Sequence, residues 1–120
     1  MRNFRTWDMY KDGMDLVIDI YKLTKTLPEV EKYGLSSQIR RAAVSIVNNI
    51  AEGAAKSSSK DFHRFLEMSL GSAFEVETLL KLIQELEYST PTIIKDLIEK
   101  IDSLEKRINA FIQKIRREDF

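Results

Sequence analysis

The residues of this 120-residue chain best placed to do chemistry lie on one polar helix face and in the connection that follows it. In the stretch Leu35 to Gly53, LSSQIRRAAVSIVNNIAEG, a step of 100° per residue sends Gln38, Arg41, Ser45, Asn48 and Glu52 one way, with Asn49 on the border. Solvated helix faces ordinarily fill with Lys and Glu. Ser and Asn are poor helix formers because their side chains compete for backbone hydrogen bonds. Their concentration here suggests a face that touches something, against the plainer reading of a solvent face weak in propensity. Around it stand Arg40, Arg41, Lys56, Lys60 and Arg64, opposed between Ser36 and Arg64 only by Glu52 and Asp61. Cations grouped in this way suit an anionic partner through phosphate contacts.

The inventory for catalysis is short. The single histidine, His63, cannot supply the paired Glu-x-x-His sets of bundle di-iron sites, and it is expected as a surface residue near Glu67. There is no cysteine, hence no disulfide framework, thiolate metal site or cysteine nucleophile. No Gly-rich phosphate loop and no nucleophile–base spacing occurs. The expectation is a protein with no catalytic residues, no cofactor and no metal.

These side chains need elements to position them, and the composition points to few, long ones. The chain has only four Gly and two Pro, 43% apolar and 32% charged residues, and nineteen basic against nineteen acidic side chains. Such a length suits a single domain spanning residues 1–120. Met1-Arg2-Asn3-Phe4 opens no apolar run and no stretch reaches the length of a membrane span, so a cytoplasmic protein is expected.

Four helices follow from the spacing. In the first, from about Trp7 to Thr26, Trp7, Tyr10, Met14, Val17 and Tyr21 form the expected bundle seam. Leu16, Ile20 and Leu23 form a second stripe, so that either this helix is central or the second stripe is buried against another subunit. Leu27-Pro28 breaks it, Pro28 opens a short turn closed by Gly34, and Ser36 or Ser37 is expected to cap the second helix. That helix buries Ile39, Ala43, Ile46 and Ile50. The last serine of Ala54–Ser59 is expected to cap the third, about Lys60 to Tyr88, whose seam is Phe62, Leu66, Ser69, Ala73, Val76, Leu80 and Ile83. After Ser89-Thr90-Pro91, the fourth runs from Thr92 to Arg117 on Ile94, Leu97, Ile101, Leu104, Ile108, Phe111 and Ile115. Short connections make an antiparallel up-down-up-down all-α bundle the natural topology. Glu75 stands apart, directed between Leu79 and Leu82. It is expected to be held by Arg41, Ser45, Asn49 or Arg40, within the subunit or across an interface. Arg41, Ser45, Asn49, Glu52, Gly53 and Glu75 then read as a structural polar motif, with a ligand-binding notch as the alternative.

The run Gln38-Ile39-Arg40-Arg41-Ala42-Ala43-Val44-Ser45, followed by Asn49-Ile50-Ala51-Glu52-Gly53, resembles the four-helix-bundle proteins encoded in bacterial 23S ribosomal RNA intervening sequences. Phe62 to Leu66, Gly71-Ser72-x-x-Glu75, and Leu27-Pro28 with Tyr33-Gly34-Leu35 match the same family, and the accessory proteins of diversity-generating retroelements are similar too. The resemblance implies a ring-shaped homopentamer without enzymatic activity. It also implies RNA or a nucleic-acid-processing protein such as a reverse transcriptase as partner. Retroelement accessory proteins are strongly basic, whereas this chain is neutral, so any nucleic-acid binding through Arg40, Arg41, Lys56, Lys60 and Arg64 is expected to be weak and salt-sensitive. The alternative function is an oligomeric scaffold that contacts a protein partner through the polar face.

Overall fold

The computed structural model describes residues 2–119, which form four α-helices and two 3₁₀ turns with no strand among the described residues. Helix α1 is Asp8–Thr24, α2 Leu35–Ala54, α3 Ser59–Glu85 and α4 Pro91–Asp119, with the turns at Phe4–Thr6 and Glu29–Glu31. Unbroken 3-4 spacing sets each buried face. Ile39, Ala43, Ile46 and Ile50 of α2 are buried, as is the whole α3 seam from Phe62 to Ile83. On α4, Ile94, Leu97, Ile101, Leu104, Ile108 and Ile115 are buried, and Phe111 is partly so.

Contacts between helices pair rising numbers with falling ones. Thr24 meets Arg40, and Gly13 lies against Val47 and Ile46. Ser45 meets Ser72, and Gly53 lies against Phe62 and Phe65. Asp19 meets Lys100, Asp12 meets Arg107, and the rings of Trp7, Phe62 and Phe111 stack together at one end. Helices α1 and α3 each pack on α2 and α4 but not on one another.

The second stripe of α1 supplies the fully buried core, while of the expected seam Trp7, Tyr10 and Val17 pack against the core only in part. Leu16 and Ile20 are core residues at 2% and 0% exposure, with Met9, Gly13 and Leu23 beside them. Met14, Ile18 and Tyr21 face outward instead. The aliphatic stripe wins because branched side chains fill the interior without a hydroxyl to satisfy, whereas a tyrosine keeps its polar end near water.

Three helix ends also differ from expectation. Neither Ser36 nor Ser37 caps α2. A Glu31 carboxylate oxygen accepts from the Leu35 N–H at 3.2 Å, and Ser36 is buried. Ser58 rather than Ser59 caps α3, accepting from the Asp61 N–H at 3.1 Å. Helix α3 stops at Glu85, short of Tyr88, because Glu87 adopts a left-handed φ of 58°. The Tyr88 N–H then reaches back to the Ile83 carbonyl and the Glu87 N–H to that of Gln84. This is the Schellman closure of a helix end, made here without glycine.

Candidate nucleic-acid interface

The five cations singled out by the sequence do not form one patch. Arg40 and Arg41 lie near the start of α2 and Lys56 just after its end, about 24 Å away along the axis at 1.5 Å per residue. Arg40 is already engaged: its Nε donates to the Thr24 hydroxyl at 2.7 Å and its guanidinium lies 4.8 Å from the Tyr21 ring centre. Arg40 therefore ties α2 to the end of α1. Arg41, roughly 100° round the helix, is exposed and donates to Ser37 Oγ at 3.2 Å.

Lys56, Lys60 and Arg64 come together at the corner where α2 hands over to α3. The Lys56 ammonium and the Arg64 guanidinium lie 4.8 and 4.9 Å from the Phe65 ring centre. Arg2, absent from the sequence-based set, joins them. Its guanidinium sits 4.4 Å from the Phe62 ring centre and donates to the Lys56 carbonyl. Lys60 is exposed beside them. Aromatic faces hold cations through the ring quadrupole, and the unpaired N–H groups at the start of α3 add positive potential. The local counter-charge is Asp61, 4.0 Å from Arg64 Nε. No local signal reveals Arg2, because 54 residues separate it from Lys56.

The polar motif divides into a knitted part and an open part. Ser45 and Ser72 share a hydrogen bond at 2.8 Å, and Asn49 Nδ2 donates to the Ser45 carbonyl and hydroxyl at 2.8 and 3.0 Å. Ser69 donates to the Ile46 carbonyl at 2.8 Å from full burial. At Gly53 a Cβ would come within 2.8 Å of Phe65 Cβ, so the helices approach too closely for any side chain. These bonds sew α2 to α3.

Glu52 and Glu75 are exposed. Glu75 makes no hydrogen bond or ion pair within the subunit among the described residues. Its supposed donors point elsewhere: Arg41 donates to Ser37, Asn49 to Ser45, and Arg40 to Thr24. Leu82 and Phe74, near Glu75 on the helix, are themselves open to solvent, which is why the expected burial fails. The polar face of α2 lines a shallow depression of about 700 Å³ shared with Tyr21, Lys32 and Tyr33, the last 89% exposed.

His63 is buried at 9% exposure rather than on the surface, with Nδ1 3.4 Å from Glu67. It points nearly the same way as Leu70, two turns on, which packs against the core. A second unforeseen group is Glu105 of α4, 8% exposed against α3. Burial first, then the hydrogen bond and charge of Glu77, push its carboxyl up to about 8. Glu77 is held below the usual range by that same bond and by Lys81, whose Nζ lies 2.6 Å away. Among the described residues no group of three or more His, Cys, Asp or Glu is placed to hold a metal ion, and no helix is long and apolar enough to cross a membrane.

Four helices, two of them sewn together by the Ser–Asn–Ser seam, with a cationic corner and an open polar depression, define an all-α helical protein. The chain belongs to the 23S rRNA-intervening sequence protein family, whose model matches residues 5–110. It is similar to the solved structure of a protein of unknown function from the S23 ribosomal protein family of Bacteroides thetaiotaomicron. The two share 28% identity over 87% of this chain and 97% of the other, with a TM-score of 0.81. No curated protein matches the chain.

Proposed function

We propose that the protein is a non-enzymatic, cytoplasmic, single-domain antiparallel up-down-up-down bundle that works as a homo-oligomeric ring and associates with RNA. The ring is a pentamer by family resemblance. The observation that carries the RNA reading is the gathering of Arg2, Lys56 and Arg64 around Phe62 and Phe65, with Lys60 exposed on the first turn of α3. Zero net charge limits each subunit to those few phosphate contacts, and ring symmetry repeats them, so that weak sites act together. Arg40 has a structural role in this reading, and Arg41 is an outlying contact.

Fluorescence anisotropy with a single-stranded RNA across a salt series tests it. Each phosphate contact contributes about 0.7 to the salt slope. Replacing Lys56, Lys60 and Arg64 together by Ala should therefore lower the slope by about 2, while Arg40→Ala leaves it unchanged. An unaltered slope in the triple variant would remove the corner from the function.

The open groove beside Tyr33 favours a second reading, a scaffold that seats a protein partner on the polar face of α2. Tyr33→Ala should then abolish the protein contact and spare RNA binding, as a pull-down with the wild-type chain as control would report.

A further inference from the structure

We infer that the outer face of α1 in one copy packs on the outer face of α3 in the next, a head-to-tail contact between two different surfaces. This rests on the reading of the protein as a ring and names the faces that close it. Because α1 and α3 are not neighbours within the subunit, their outer faces look out from opposite corners of the bundle.

Both faces expose large apolar side chains. Met14 and Ile18 on α1, and Met68, Phe74, Leu82 and Leu86 on α3, are 40–51% exposed. On α3, Met68, Gly71, Glu75, Leu82 and Leu86 fall within an arc of about 60°, and Phe74 lies about 60° beyond it. Apolar stripes of this extent mark contact surfaces.

Gly71 supplies an independent sign. A glycine inside a helix costs about 1 kcal/mol relative to alanine, and at this one an added Cβ would meet nothing within 4 Å. Nothing inside the subunit requires it. A neighbouring helix approaching from outside does.

Charge selects a second copy as the occupant. The α1 stripe is flanked by Lys11, Lys22 and Lys25, with Asp15 as its acidic member, and all four are exposed. The α3 stripe carries Glu67, Glu75 and Glu85, also exposed, and its cations Lys60 and Arg64 are confined to the first two turns of the helix, ahead of Met68. Heights agree as well. The Trp7–Phe62 ring contact sets one level, and Gly13 and Ser69, both against Ile46, set another. A residue of α1 therefore shares its height with the α3 residue numbered about 55 higher. A closed ring relates its copies by rotation with no net rise. About an axis along the bundle, Lys11 then stands level with Glu67 and Ile18 with Phe74, Lys22 lies within a turn of Glu75, and Lys25 within a turn and a half of Glu85.

Light scattering on the full chain is the test, with circular dichroism to follow folding. The wild-type chain should give a multiple of 14.0 kDa. Lys22→Glu with Lys25→Glu, or Glu75→Lys with Glu85→Lys, should each bring the mass down to one chain without loss of helicity. All four exchanges in one chain should restore it. Gly71→Gln should also dissociate the ring while leaving the subunit helical. A wild-type oligomer unmoved by all these variants, or not restored by the combined exchange, would overturn the pairing of faces and leave the ring standing. A wild-type chain at 14.0 kDa would overturn both, and would mean that a different protein covers the stripe.

Discussion

Glu105 illustrates how a single buried proton can carry stability in a bundle with no buried ion pair at that point. Its carboxyl titrates at about 8 in the folded chain, against an ordinary value of 4.5. A group raised in this way contributes stability that is complete below the unfolded value and is lost as pH rises through the folded one. Glu77, held low, acts in the opposite sense and only at the acid end. Between about pH 5 and 9 stability should therefore fall with rising pH, by at most about 1.4 kcal/mol per unit. Glu105→Gln, which keeps a donor for Glu77 and has no charge to lose, should flatten that slope in urea melts at pH 5.5 and 9. At Gly53, where the built Cβ meets Phe65 at 2.8 Å, alanine should overpack the α2–α3 seam and cost about 1–3 kcal/mol. At Gly71 the same change meets open space. The sequence places Gly53 at the end of the second helix and Gly71 inside the third, and neither position reveals how near a second helix comes.

Among the elements, α2, α3 and α4 are legible from spacing, since each has one unbroken stripe that burial follows, with one slip on α4, where Ile112 is buried and Phe111 only partly so. Helix α1 is ambiguous because its two stripes are of similar size. The aromatic one draws attention, yet the interior takes Leu16, Ile20 and Leu23. Replacing Leu16 and Ile20 by Glu should therefore unfold the subunit rather than merely separate subunits, since each would bury a carboxylate among aliphatic neighbours. The end of α3 was hidden for a different reason. No glycine or proline announces it, and Glu87 takes the left-handed position that glycine ordinarily fills. Glu87→Gly should relieve that strain and stabilise the protein by about 1 kcal/mol in denaturant melts. A loss of stability would mean that the Glu87 side chain makes a compensating contact outside the subunit.

At the scale of the whole molecule, the cationic corner and the outer stripes draw on segments far apart in the chain, which is why the sequence disclosed only parts of each. Lys56, Lys60 and Arg64 were visible together; Arg2 and the separation of Arg40 from them were not. Assembly has a thermodynamic signature that needs no structure of the ring. If folded subunits associate and unfolded chains do not, mass action stabilises the folded form as concentration rises. For a ring of several subunits each tenfold increase adds about 1 kcal/mol per subunit, since a factor of ten in an equilibrium is worth about 1.4 kcal/mol. In a chain of this size the melting temperature should climb by about 4 °C per decade of concentration. Gly71→Gln should abolish that dependence at micromolar concentration, because the bulkier side chain is tolerated within the subunit and blocks the neighbour's approach. Glu105→Gln, on the α3–α4 seam inside the subunit, should preserve the concentration dependence while altering the dependence on pH. A melting temperature independent of concentration in the wild-type chain would show that the exposed apolar faces of α1 and α3 are not covered by its own copies.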